Sequence, residues 1–135
     1  MGLAACAGSS QIPTPPPPPR APEATQEDLS DWRSYARTNP RRLRSRGHGT
    51  EWTETYVSRD ADGTERRAVM AAYETETSPE PVGLTAMVKM PAGYDPDNGD
   101  WYYAVLEPDG KHAHTQGRVP LCMACHARRV TTPAR

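Results

Sequence analysis

The chain has 135 residues, with 16 Lys+Arg against 17 Asp+Glu for a formal charge of −1, which suits one domain and excludes a global positive field that would draw in nucleic acid or an anionic membrane. Hydrophobic residues make up 36% of it, and no run nears the roughly 20 consecutive apolar residues of a membrane-spanning helix. Three cysteines, Cys6, Cys122 and Cys125, are too few and too odd in number for a disulfide-stapled mini-domain.

In chain order, Leu3-Ala4-Ala5-Cys6 matches a bacterial lipobox, in which signal cleavage leaves Cys6 as a lipid-modified first residue. Met1-Gly2 supplies neither a positive n-region nor an apolar h-region. The lipobox reading therefore expects a start upstream of Met1 or a leader already removed. Seven of the 15 prolines fall within the first 22 residues, five of them consecutive from Pro15 to Pro19. Such a run has no backbone donors and favours an extended polyproline rod, a tether rather than a core element. Residues 1–24 are thus read as anchor and tether, and 25–135 as the folded domain.

Thr25 followed by Asp28 has the pattern of an N-cap with its capping-box acid, predicting a helix through about Arg37. Leu29, Trp32 and Ala36 would form its apolar stripe, and Asn39-Pro40 would end it. The arginines at 41, 42, 44 and 46 are expected in a solvated loop rather than a nucleic-acid patch, given the near-zero net charge.

From Thr50 the pattern changes to β-like runs punctuated by turns. Trp52 to Val57 is followed by the turn Asp60-Ala61-Asp62-Gly63, and Arg66 to Glu74 by the loop SPEPVG. Leu84 to Met90 alternates, with Leu84, Ala86 and Val88 on one face and Met87 and Lys89 on the other. Trp101 to Leu106 is the strongest strand, closed by the turn Pro108-Asp109-Gly110. Four strands on short connections imply an antiparallel sheet. Asp95, Asp97 and Asp100 miss the spacing of an EF-hand calcium loop and are expected in a solvated turn.

The chemistry is concentrated in Cys122-Met123-Ala124-Cys125-His126, the spacing of covalent c-type haem attachment. Two thiols three residues apart on a helical turn reach two vinyl groups on one porphyrin edge, and the adjacent His126 supplies a nitrogen to iron as proximal ligand. A thioredoxin-like redox pair would need a preceding strand in a βαβ unit, whereas Pro120 and the Gly117-Arg118 loop precede the motif here. A zinc site from Cys122, Cys125 and two of His112, His114 and His126 is the other rival, without the second Cys pair that structural zinc prefers. Candidates for a sixth iron ligand are Met70, Met87, Met90, His48, His112 and His114. Arg118 is expected to pair with a haem propionate because it lies near the motif. Trp52, Tyr56, Trp101 and Tyr103 are read as core aromatics around the haem.

The run LTAMVKMPAGYDPDNGDWYYAVLEPDG, the Gly-Arg after it and CMACHA together resemble the haem domain of the cytochrome P-460 and cytochrome c′-beta family, with HGTEWTETYVS similar to its first core strand. The resemblance spans about residues 32–129. It implies an antiparallel sheet with a few helices and one covalent haem c held at His126. It also implies small nitrogenous ligands: nitric oxide in one branch, hydroxylamine oxidation in the other. The lysine that P-460 enzymes cross-link to the macrocycle falls at Met70 in a loose matching of the second strand, which argues against hydroxylamine oxidation. The closing helix is expected to be short, about Leu121 to Val130.

The expectation is therefore an α+β domain, mainly antiparallel sheet with an N-terminal helix and a short C-terminal haem-attachment helix. Haem attachment implies export, so the protein is expected in the periplasm, tethered to a membrane only through a lipid on Cys6. Its partners would be haem and either a small ligand, nitric oxide or hydroxylamine, or a redox protein. The alternatives are a haem enzyme that oxidises hydroxylamine or reduces peroxide, and a zinc-stabilised interaction module.

Overall fold

The computed structural model describes residues 13, 26–45, 48 and 52–126. Cys6, the Pro15–Pro19 run, Thr25, Arg46 and the part of the closing helix beyond His126 lie outside the described residues. Among the described residues seven strands form one antiparallel sheet: β1 (Ala36–Arg37), β2 (Leu43–Arg44), β3 (Trp52–Arg59), β4 (Glu65–Tyr73), β5 (Gly83–Lys89), β6 (Trp101–Leu106) and β7 (Ala113–Gly117). The order is β1-β3-β4-β5-β6-β7, and β2 also pairs with β3. One helix, α1 (Pro120–His126), follows the last strand. Its first residue is a proline, whose missing N–H costs nothing at that position. Among the described residues no helix is long and apolar enough to cross a membrane.

Residues directly opposite one another in antiparallel strands share a face, and the register divides the sheet cleanly. Val69 and Ala71 of β4 face the same way as Ala86 and Leu84 of β5 and as Ala104 and Leu106 of β6. These residues join Val88, Tyr73 and Tyr102 in one buried cluster. Leu29 and Trp32 cover it from the N-terminal segment and Tyr94 from the β5–β6 loop. Trp32 meets Tyr56 edge-on at 5.1 Å, and its Nε1 donates to the Pro108 carbonyl at 3.1 Å. The opposite face carries Val57, Ala68, Met87 and Tyr103 in one row, ending at Gly117 of β7, and Thr55, Met70, Thr85 and Val105 in the next. Val57 and Tyr103 are buried yet stand outside the core cluster.

The N-terminal helix expected over 25–37 does not form. Residues 26–31 carry no helix, a single 3-10 turn spans Trp32–Ser34, and Ala36–Arg37 is already strand. Asp28 does accept from a backbone amide, Ser30 N at 2.9 Å, but in a local turn. Two forces override the helical pattern. Leu29 and Trp32, three residues apart, both plug the core after one turn, closed by Trp32 N donating to the Leu29 carbonyl at 3.0 Å. The chain is then drawn onto the free edge of β3. Thr38 N donates to Thr55 O at 2.9 Å, and the Asn39 side chain bonds Thr53 O and Thr55 N. Ala36, expected in the apolar stripe, is exposed opposite Val57.

The arginine-rich segment is not wholly solvated either. Arg42 stacks on Tyr73 at 3.5 Å, and its Nε donates to Glu54 at 3.0 Å. Its Nη1 reaches the carbonyls of Thr75 and Glu76. Glu54 is buried on the core side of β3, where it also accepts from Tyr56 at 2.7 Å and Tyr73 at 2.9 Å and pairs with Arg37 at 3.3 Å. Burial alone would raise its pKa, but the hydrogen bonds from Tyr56, Arg42 and Tyr73 and the Arg37 charge hold it below the usual carboxylate value.

Candidate haem site

The face of the sheet turned away from the core holds a cavity of about 320 Å³. Ala68 and Met70 of β4, Thr85 and Met87 of β5, and Tyr103 of β6 line it from the sheet. Cys122 and His126 line it from α1, and His48 from beyond β2. A second hollow of about 230 Å³ shares His48, Met70 and Thr85 with the first and continues over Ala72, Val82 and Val105. Among the described residues the lining is mostly apolar, with Glu65 its one carboxylate.

The sequence builds this surface by alternation. On β4, Ala68, Met70 and Ala72 look one way while Val69, Ala71 and Tyr73 look the other into the core. Small residues on the first set leave room above the strands, and the two methionines supply adaptable apolar walls. The opposite end of the site is set by α1. Cys122, Cys125 and His126 stand three and four residues apart on its helical turns, so their side chains share one side. The His126 ring lies 5.6 Å from that of Tyr103 and 6.4 Å from that of His48, centroid to centroid. Burial, followed by the proximity of Cys125, raises the Cys122 thiol above its ordinary value. Burial likewise raises the Tyr103 hydroxyl, with smaller contributions from Cys122 and Asp95.

The structure brings together some of the residues singled out in the sequence and scatters others. Cys122, His126, Met70, Met87 and His48 share the cavity. Cys125 is exposed on the adjoining turn of α1. Met90 packs against the core cluster instead. His112 and His114 are exposed on the β6–β7 hairpin, His112 against Asp109 and His114 against Glu107 at 2.9 Å. Among the described residues no group of three or more His, Cys, Asp or Glu side chains is arranged to hold a metal ion. Arg118 turns toward the β5–β6 loop, stacking on Tyr94 at 4.6 Å and donating to its carbonyl. Of the four aromatics expected around a haem, Tyr103 lines the cavity. Trp52 and Tyr56 pack on the core and Trp101 lies under Lys89. Ala68, Thr55 and Thr85 belong to the lining and were not anticipated. Their signal was the small residue two positions before Met70 and its partners across the ladder, legible only once the register is known.

These residues fit a haem. A flat, largely apolar macrocycle needs an apolar trough, two thiols on one edge and a nitrogen aimed at its centre. The sheet supplies the trough, and a single helix carries Cys122, Cys125 and His126. Comparison with protein-family models, with curated proteins and with solved structures finds no match to this chain.

Proposed function

We propose that this protein is a single-haem c-type cytochrome of the cytochrome P-460 and c′-beta type, acting in electron transfer or in binding a small ligand such as nitric oxide. Cys122 and Cys125 would hold the haem as thioethers and His126 would supply a nitrogen to its iron. The observation that carries the reading is the placement of Cys122 and His126 in the wall of the apolar cavity, on the sheet face that the chain's own core does not cover. When bound, haem supplies an iron that changes oxidation state and accepts diatomic ligands. The protein's part is positional. Tyr103 stands beside the His126 ring from the sheet, Met70 and Met87 would give the haem an apolar wall that excludes water, and α1 would carry thiols and imidazole as one unit.

The oxidase reading has less support. Lys89 donates to the Gly99 carbonyl and sits over Trp101 at 5.1 Å, and neither it nor Lys111 lines the cavity. Haem attachment by the c-type route implies the periplasm, with a lipid on Cys6 as tether.

The deciding experiment is expression of the full chain with haem-maturation machinery. Covalent haem is expected, with c-type absorption bands that survive acid–acetone extraction and a mass increase mapped to the peptide holding Cys122 and Cys125. Cys122→Ser should remove one thioether, and the double serine variant both. A colourless product carrying zinc would overturn the proposal.

A further inference from the structure

We propose that His48, which lines the same cavity as His126, is the second protein ligand of the haem iron, so that the resting site is six-coordinate with two imidazoles. The inference rests on the haem reading above and adds what occupies the distal side. Six side chains have the chemistry for that role, and the fold removes three. His112 and His114 are held by Asp109 and Glu107 on an exposed hairpin, and Met90 packs against the core cluster. Met70, Met87 and His48 remain at the cavity.

Geometry separates these three. Met70 and Met87 rise from the strands, in the floor on which His126 already leans through Tyr103; Met87 is the direct cross-strand partner of Tyr103. His48 approaches from a different element. Its backbone N–H donates to Ser45 Oγ at 3.1 Å, one residue beyond β2, and β2 is fixed to β3 through Leu43 opposite Thr53. Its ring borders both hollows and stands 6.4 Å from the His126 ring. Two imidazoles on opposite sides of one metal ion, each with a nitrogen about 2 Å from it, have ring centroids about 6 Å apart. The ring planes cross at 63°, which trans ligands tolerate because each can rotate about the common axis. The pair therefore already has the spacing that a shared iron requires. A small ligand must then displace His48 before it binds, which makes the imidazole a gate and favours electron transfer at rest.

The test uses the haem-loaded full chain. The ferric protein is expected to be low-spin, with the electron-paramagnetic-resonance pattern of two axial imidazoles and without the near-infrared band given by a methionine sulfur on ferric haem. His48→Ala should keep its covalent haem and its far-ultraviolet circular dichroism but become high-spin. Its ferrous form should bind carbon monoxide about tenfold or more tightly, since the ligand no longer competes with an occupying side chain. Added imidazole should restore the low-spin spectrum of the variant. Met70→Leu and Met87→Leu should both stay low-spin. A high-spin wild type, a methionine–iron band, or loss of the low-spin signature in either Met variant would overturn the assignment of His48 and leave the haem reading standing. A protein without covalent haem would overturn both.

Discussion

Glu54 shows what a single buried carboxylate demands of its surroundings. Two tyrosine hydroxyls and two guanidinium groups converge on it, and Arg42 also ties β2's approach to the end of β4 through Thr75 and Glu76. Removing one partner leaves the others buried and unsatisfied, so Glu54→Ala is expected to cost about 3 kcal/mol by denaturant titration. The pH dependence follows from two opposite shifts. The Glu54 pKa is lowered on folding, so its contribution is present above the ordinary carboxylate range and is lost as pH falls through its folded value. The Tyr56 pKa is raised from 10.0 to about 12, first by burial and then by its bond to Glu54. Its contribution is complete below 10.0 and lost as pH rises toward 12. Tyr56→Phe should therefore flatten the alkaline limb of the stability profile, and Glu54→Gln the acid limb. Profiles that match wild type at both ends would mean the cluster is not coupled to folding.

Gly110 is a second residue on which the N-terminal segment depends. It sits at φ 71°, where L side chains are strained, and its carbonyl accepts from Leu29 N at 3.0 Å. A Cβ there would collide with the Leu29 carbonyl. Gly110→Ala is thus expected to lower stability by about 1–3 kcal/mol, read as a shifted denaturant midpoint with an unchanged slope. An unshifted midpoint would show that Leu29 and Trp32 seal the core without that contact.

Among the elements, legibility tracked hydrophobic alternation. β3 to β6 carry it, and their positions and antiparallel pairing follow from the sequence to within a few residues. β5 divides as expected, with Leu84, Ala86 and Val88 buried on one face and Met87 on the other, at the cavity. β7 was not legible because Ala-His-Thr-Gln-Gly has no apolar face; it is an edge strand held by backbone pairing with β6. β1 and β2, two residues each, exist only because β3 offers an edge. Helical spacing over Leu29, Trp32 and Ala36 misled for the same tertiary reason. At the site, the local Cys122-to-His126 motif was legible, while which of the candidate Met and His side chains reach the cavity was not, since that depends on which face of which strand looks outward. That division gives a paired prediction on β4. Ala71 is fully buried in the core, so Ala71→Leu should destabilise the fold by about 1–3 kcal/mol through overpacking. Ala68→Leu, three positions earlier and on the cavity face, should leave the unfolding midpoint of haem-free protein nearly unchanged but reduce covalent haem incorporation. The reverse outcome would mean that the two faces have been exchanged.

At the scale of the molecule, one sheet serves two different interiors. One face is closed by the chain itself, with Leu29, Trp32 and Tyr94 laid across Val69, Leu84 and Leu106. The other is roofed at one end by α1, whose Leu121 is 79% exposed and so adds no core of its own, and it leaves Met70, Met87 and Ala68 bordering a cavity. A chain of this size buries a smaller share of its surface than a large domain does, so a second apolar layer matters to its stability. Burial of apolar surface contributes about 25 cal/mol per Å², and in a domain of about 100 residues each 1 kcal/mol moves the melting temperature by about 4–8 °C. Covalent haem loading is therefore expected to raise Tm by about 10 °C or more, measured by following the backbone circular dichroism of matched loaded and unloaded samples. Hydrogen exchange should slow chiefly in β4, β5 and β6, whose outer face the macrocycle would cover, and little in β1. The Cys122→Ser and Cys125→Ser double variant should melt with the unloaded protein, because without thioethers the layer is no longer fixed to α1. Coincident melts of loaded and unloaded wild type would mean that this face owes its stability to the chain alone, and would remove the structural reason for a porphyrin there.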